Sequence, residues 1–411
     1  MPPPPGPDIA AAVAQAHRRG WARALATVVR LTRDLDEAED AVQEAFVAAL
    51  RTWPRTGVPG NPVGWITTAA RRKALDRMRR RTALQRRLPL LIVPDGDGAD
   101  GDAGGAYGDD RLRLVFTCCH PALAPHAAVA LTLRLVCGLH VAEIARLFLV
   151  TEATMAARVT RAKKKIQQAG IPYRVPADPA ERLPAVLAVI ALLFTEGHTG
   201  SRGTTLVRPE PLDQALRLAR LLAALLPGEP EVLGLLALLV LNDSRRGARV
   251  DGGGALVLLA DQDRSAWDTA AIAEGRALTE RALRLSRRAG PYAVQAAIAA
   301  LHAEAPTADA TDWPQIVALY DILLEVHPSP VAALGRAVAV SMAAGPRAGL
   351  AELDRIAADP ALERYHRLHA ARAEMLARLG RREESRAAYR RAAESAPNPV
   401  ERDFLDRAAG C

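Results

Sequence analysis

The stretch RRKALDRMRRRTALQRR, residues 71–87, carries nine basic side chains and one acid, Asp76. A second group, Arg158, Arg161, Lys163, Lys164 and Lys165, has no acid within it, and all four lysines of the chain lie in these two groups. Such runs make no bonds. They neutralise phosphates, and each contact steepens the salt dependence of binding by about 0.9 in log units. Between them lies PDGDGADGDAGGAYGDD, residues 94–110, with six aspartates and no base. The net charge of +8 thus divides into two nucleic-acid-facing surfaces and an acidic tether. The tether suits two tasks, masking the basic helices or occupying a nucleic-acid path.

Three other groupings have suitable residue types without the spacing. Cys118, Cys119 and Cys137 lie near His120, His126 and His140, but not in the short-interval pairs of structural zinc sites. They read as buried thiols, and no metal is expected. DGDGADG from Asp95 begins like a calcium loop, yet Ala99 takes a ligand position and the closing Glu is absent. DGGG, Asp251 to Gly254, lacks the strand, helix and Lys of a phosphate loop and reads as a sharp inter-helix connection. There is no nucleophile–base pattern, so neither catalysis nor a cofactor is expected.

The elements that must hold the basic groups are helical. Aromatics make up 4% of the chain, and Ala, Leu and Arg abound. A length of 411 residues points to several domains. Apolar spacing is helical from about Ile9 to Arg81. An acidic segment, Asp34 to Glu44, runs into AFVAALRTW and is expected to stop at Pro54. The Pro- and Gly-rich RTGVPGNPVG follows as a loop, then a helix from about Trp65. Residues 89–110 read as a flexible linker. Helical patterning returns from Arg111 to about Ala169 and, after GIPYRVPADP, from Leu183 to the end. Tyr320 and Tyr389, like Pro328 and Pro397, are 69 residues apart. That is twice the roughly 34-residue period of tetratricopeptide helix pairs. LGRREESRAAYRRAAESAPNP places Gly380, Tyr389, Ala392 and Pro397 as that repeat does; APTADATDW from Ala305 reads as an insertion. The most apolar runs, from Leu183 and Val232, fall short of the roughly 18–20 residues of a membrane span. MPPPPGPD lacks the pattern of a signal peptide. A cytoplasmic protein is expected.

From Thr151, an N-cap residue type, Met155, Val159, Ala162 and Ile166 fall on one helical face; Ala153, Ala157, Thr160, Arg161 and Lys164 fall on the other. A preceding short helix buries Ile144, Ala145 and Leu147 and joins through Leu149 and Val150. This is a helix-turn-helix pattern, whose second helix can enter a major groove. The same residues also suit an ordinary helical hairpin with a solvated basic end.

GLHVAEIARLFLVTEATMAARVTRAKKKI resembles region 4 of bacterial extracytoplasmic-function sigma factors, of the sigma-70 family, matching at Gly138, Leu139, Glu143, Ile144, Ala145, Thr154, Arg158, Arg161 and Ala162. DLDEAEDAVQEAFVAALRTW is similar to region 2.2, which docks on core RNA polymerase. GWITTAARRKALDRMRRR resembles regions 2.3 and 2.4, which open the −10 element. Leu149 stands where the turn commonly has Gly, and Ala156 and Ala157 replace polar residues; an alanine offers a base only a methyl contact. FTCCHPAL, the linker and the extension resemble a subgroup with a C-terminal tetratricopeptide-like domain.

The resemblance implies an all-α protein. Residues 9–82 form the region 2 domain, 83–110 a flexible acidic linker, 111–170 the region 4 helix-turn-helix domain and 171–411 a tetratricopeptide-like helical extension. It implies core polymerase binding by Asp40, Gln43, Glu44 and Phe46, with Phe46 as apolar anchor. The −10 element falls to Asn61, Trp65, Arg71, Arg72, Lys73, Arg77 and Arg80. Trp65 is placed to stack an unpaired base, worth about 1–3 kcal/mol. The −35 element falls to Thr154, Ala157, Arg158, Arg161, Lys164 and Lys165. Partners are core RNA polymerase, promoter DNA and an intramolecular or signalling-protein contact of the extension, with no membrane. The alternative is a polymerase-independent helix-turn-helix regulator with a protein-interaction domain.

Overall fold

Proline opens eight of the helices, among them α3 (Pro62–Gln85), α5 (Pro125–Leu135), α9 (Pro209–Leu225) and α10 (Pro230–Asp243). Its missing N–H is no loss in a first turn, where that donor has no partner in the helix, and its fixed φ is already helical. In the computed structural model, residues 9–32, 34–85, 110–168, 176 and 178–410 are described. They form eighteen α-helices, and their only β pairing is one isolated bridge. The linker is shorter than expected at both ends, since α3 runs on to Gln85 and Asp110 opens the next helix; the rest of the acidic tether lies outside the described residues, and so do the expectations placed on it. The chain divides into two compact units, residues 1–144 with 153–189, and residues 145–152 with 190–411.

In the first unit α1 (Ile9–Thr32), α2 (Leu35–Thr56) and α3 pack mutually. Asp34 caps α2, its carboxylate accepting from the N–H groups of Asp36 and Glu37 at 2.9 and 3.0 Å. The helix buries Ala38, Val42, Ala45, Ala49 and Trp53, a stripe at three- and four-residue steps. It does not stop at Pro54. It continues to Thr56 and ends at Gly57, whose φ of +81° suits glycine and whose N–H reaches Trp53 O at 2.9 Å. The carbonyl that Pro54 leaves unpaired is that of Leu50, an exposed residue, so water can serve it.

Helices α4 (Asp110–Cys118) and α5 belong to the same unit. The buried Trp21 indole N–H donates to Leu135 O at 3.0 Å, and Arg111 donates to Arg19 O at 3.0 Å. Leu135 is the last residue of α5, so its carbonyl needs a partner from outside the helix. At α6 (Val141–Leu147), the buried Glu143 carboxylate accepts from the His140 N–H, a back-bond that caps the helix. The corner before α7 (Glu152–Gln168) keeps its hydrogen bonds, Leu149 N–H to Arg146 O at 3.1 Å and Val150 N–H to Ala145 O at 3.0 Å. The leucine in place of glycine is accommodated at a φ of +53°.

The second unit takes in α8 (Leu183–His198) from Ile190 onward, then α9, α10, α11 (Thr269–Leu285), α12 (Pro291–Glu304), α13 (Trp313–Val326), α14 (Pro330–Ala344), α15 (Pro346–Ile356), α16 (His366–Arg378), α17 (Arg382–Ser395) and α18 (Pro399–Ala409). Successive helices pack as a stack of pairs. The sequence repeat falls on equivalent places, with Tyr320 in α13 and Tyr389 in α17. APTADATDW is a loop ending at Asp312, whose carboxylate caps α13 through Gln315 N–H at 2.9 Å. Gly234 lets α10 approach α12, since a Cβ there would lie 2.6 Å from Ala293 N.

The connection between α10 and α11 is an insert with three short 3-10 turns, and DGGG is the sharp turn within it. Asp251 Oδ1 accepts from the N–H groups of Gly253 and Ala255, both at 2.9 Å, and Val250 bridges Leu256 antiparallel. Those amides are occupied by Asp251 itself, so the loop is closed to a phosphate. Asn398 ties the last helix to the first loop: its fully buried Nδ2 donates to Gly200 O at 2.6 Å and Thr205 O at 3.0 Å.

Left-handed backbone costs an ordinary residue about 1–2 kcal/mol, and a β-branched side chain more. Leu149→Val is therefore expected to destabilise the chain by a further 1 kcal/mol or about that, while Leu149→Gly keeps the corner. Urea denaturation of the two variants checks this; equal stability would show that the corner carries no strain.

Candidate polymerase and nucleic-acid interface

One stripe of α2 faces solvent. Asp40, Gln43 and Glu44 lie on it at helical spacing, together with Val47 and Leu50, which are 45% and 49% exposed. Phe46 does not. It is 6% exposed, with its ring 6.1 Å from that of Trp21 and 5.0 Å from that of His17. Lying four residues after Val42 and seven before Trp53, it belongs to the buried stripe. The apolar part of this surface is therefore Val47 and Leu50, which the expected set omitted. Their four- and seven-residue steps from Gln43 were the available signal.

The residues expected at the −10 element are divided by the fold. Asn61 caps α3, its Oδ1 accepting from Gly64 N–H at 2.9 Å. Trp65 is half-buried and meets the buried Trp53 ring edge-on at 5.6 Å. Arg71 and Arg72 are exposed. Lys73 and Arg77 turn instead to α2: Lys73 Nζ is 3.1 Å from Glu44, Arg77 also pairs with Glu44, and Arg77 lies 3.5 Å from Asp40. The Arg80 side chain lies outside the described residues.

On α7 the two faces separate as the spacing predicts. Met155, Ala162 and Ile166 are buried and Val159 is half-buried. Thr154, Ala157, Arg161, Lys164 and Lys165 are exposed, as is Ala156, while Arg158 is half-buried. Arg161 Nε donates to Ala157 O at 3.2 Å, which lays the guanidinium along the helix. The thiols of Cys118 and Cys119 are buried, and burial pushes Cys119 and Cys137 up to about 12, leaving neutral packing groups.

A short helix, a four-residue corner and a longer helix with a basic outer face follow a helical domain with its own basic helix, and known proteins show the same succession. The family described as Sigma-70 region 2 matches residues 17–83, and Sigma-70, region 4 matches residues 113–166. This chain belongs to the sigma-70 family, in its extracytoplasmic-function branch. Residues 182–283 match DUF6596, a family of unknown function. An uncharacterized protein of Rhizobium meliloti is 44% identical over 390 residues, 93% of this chain and 92% of that protein. A "Probable ECF RNA polymerase sigma factor SigI" of Mycobacterium tuberculosis is 28% identical over 165 residues, 39% of this chain and 56% of its own length. Yeast Tom70 superposes with a TM-score of 0.35 at 12% identity over 98% of this chain and 86% of that one, too low a likeness to define the extension. Sigma factors of this family are not enzymes; they initiate transcription.

In this sigma factor α2 is the counter-charge for both basic helices. Besides the Glu44 pairs to α3, Lys163 of α7 reaches Asp36 and Glu39, each at 2.6 Å. The region 4 cluster is thus not wholly turned outward, because its third basic residue is spent on region 2. Burial alone would lower the Lys163 ammonium, but its hydrogen bonds to Asp36 and Glu39 outweigh that and hold it above its ordinary value. Hydrogen bonds from Lys73 and Arg77 hold the Glu44 carboxyl below its ordinary value. A raised lysine contributes its stabilisation below its ordinary pKa and loses it only as pH climbs through the raised value. A lowered carboxyl contributes above its ordinary pKa and loses that as pH falls through the lowered value. Both bridges are therefore present at neutral pH.

Two outcomes follow for the free chain. Asp36→Asn combined with Glu39→Gln releases Lys163, so its duplex-DNA affinity should rise at low salt and its salt slope by about 0.9. Anisotropy titrations at several salt concentrations read this directly, and an unchanged slope would mean that Lys163 does not reach DNA. The melting-temperature gap between the natural chain and Glu44→Gln should close as pH falls below Glu44's lowered pKa, by differential scanning fluorimetry.

Proposed function

We propose that this chain holds core RNA polymerase through the exposed α2 stripe and recognises the −35 element through α7 and the −10 element through α3 and Trp65, promoting melting there. The observation that carries this reading is the α7 surface. Its buried Met155, Ala162 and Ile166 fix the rotation of the helix, and that rotation presents Thr154, Ala157, Arg161, Lys164 and Lys165 outward together. Basic residues in the later turns suit phosphates, and small residues in the first turns let the helix approach base edges. Ala156 and Ala157 offer methyl contacts, which favours thymine-rich steps over hydrogen-bonded readout.

For polymerase, Asp40, Gln43, Val47 and Leu50 combine charge with apolar area, as protein-binding surfaces do. For the melted strand, the half-buried Trp65 is steadied by Trp53 and flanked by the exposed Arg71 and Arg72 along the same helix. The extension, residues 171–411, modulates this activity. No helix of the described residues is long and apolar enough to cross a membrane, in keeping with work at cytoplasmic polymerase.

Multi-round transcription with purified core polymerase tests the reading. Discrete transcripts that require the chain are expected, and a chain ending at Val189 should change their yield. Arg161→Ala with Lys164→Ala should weaken promoter binding and cut its salt slope by about 2. Duplex binding without polymerase binding or initiation would establish the self-sufficient regulator instead.

A further inference from the structure

The segment between α10 and α11 carries three arginines that make no ion pair among the described residues. Arg245, Arg249 and Arg264 have no acid within ion-pair distance among the described residues, unlike their neighbour Arg246, which pairs with Asp243 and Asp213 at 2.7 and 2.8 Å. Their fixed partners are neutral. Arg249, only 7% exposed, donates to His198 O and, at 3.0 Å, to Thr199 Oγ1. Arg264 donates to His302 O and Ala305 O at 2.7 and 2.8 Å and lies 4.4 Å over the Trp267 ring. Arg245 has a single bond, to Asn242 Oδ1 at 3.3 Å. A guanidinium has five donors, so each keeps N–H groups to spare.

These arginines crowd one another. Burial first, then Arg245 and Arg367, pushes Arg249 down to about 9 against the opposing pull of Glu401; burial and then Arg264 push Arg245 down to about 10. All remain charged at neutral pH. Nearby, Glu401 is already shared by His366 and Arg367, each at 3.4 Å. An unbalanced buried charge costs several kcal/mol, so a surplus held in place by backbone carbonyls has to be explained.

His198 supplies the second observation. Thr199 Oγ1 accepts from Arg249, and its own hydroxyl lies 3.5 Å from His198 Nδ1. With the hydroxyl proton given to Nδ1, the neutral ring carries its hydrogen on Nε2, and Nε2 is buried with no hydrogen-bond partner. Burial, followed by Arg249, Arg245 and Arg367, keeps that ring neutral. A donor without an acceptor thus stands among guanidiniums that outnumber their one nearby carboxylate, Glu401, while the half-exposed Arg367 leaves the cluster open to solvent.

We infer that Arg245, Arg249, Arg264 and Arg367, with His198 Nε2, form a binding site for a phosphate group inside the C-terminal domain. A doubly charged phosphate matches a multi-guanidinium site better than one carboxylate, having more acceptor oxygens and more charge. The source is either free inorganic phosphate or a small phosphate monoester, and the domain is its sensor.

Isothermal titration of the full chain with inorganic phosphate and with glycerol phosphate, at ionic strength matched with chloride, tests the site. Saturable one-to-one binding is expected, and whichever probe binds more tightly identifies the source. Arg245→Gln and Arg367→Gln should each weaken binding at least tenfold, whereas Arg161→Ala with Lys164→Ala on α7 should not. Arg245→Gln should also melt above the natural chain in phosphate-free buffer, because it removes repulsion; a merely structural arginine would do the reverse. Absence of saturable binding by either probe, or binding lost in the α7 variant and kept in Arg245→Gln and Arg367→Gln, overturns the assignment.

Discussion

Positive charge has to be held against its own repulsion, and this constraint organises both units of the chain. In the first, a single acidic helix answers it. Asp36, Glu39, Asp40 and Glu44 step along α2 so that the earlier pair meets Lys163 and the later pair meets Arg77, with Lys73 on Glu44. These pairs are partly exposed and individually weak. Their effect is on direction. They decide which basic side chains are spent inside the protein and which, such as Arg71, Arg72, Lys164 and Lys165, stay exposed to solvent. A helix that serves as counter-charge to two basic helices couples them, because whatever binds Asp36, Glu39, Asp40 or Glu44 competes with their internal partners.

Much of this was legible in the sequence, for a definite reason. The rotation of α7 follows from four apolar residues at helical steps, and burial of Met155, Ala162 and Ile166 leaves no second solution. The same periodicity would have placed Phe46 inside, had it been followed from Val42 to Trp53; chemical type, a charged stretch with an aromatic, suggested an anchor where geometry gives a core. Pro54 misled because a proline near a helix end can be carried when water reaches the carbonyl it orphans. Lys163 was not legible at all. Its partners lie more than a hundred residues away, and no local pattern distinguishes it from Lys164.

The insert shows the same limit more sharply. Its composition, rich in Arg, Asp and Gly, resembles an exposed loop. Yet Asp251 closes a tight turn upon itself, the Val250–Leu256 bridge follows, and Arg249 is thereby directed inward to residues of α8 and its loop. Helical periodicity says nothing about such a segment. Only the fold shows that His198, Arg249 and Arg367, drawn from the beginning, middle and end of the domain, share one neighbourhood.

Open stacks of helix pairs behave as springs: each pair touches only its neighbours, and terminal pairs fray first. Asn398 removes that freedom. By bonding Gly200 and Thr205 it joins the last helix to the first loop, across 198 and 193 residues. Peeling either end of such a spring has to break these two bonds as well as the local packing. The first loop and the last helix of the C-terminal domain are thereby coupled, so that loosening one loosens the other's anchor.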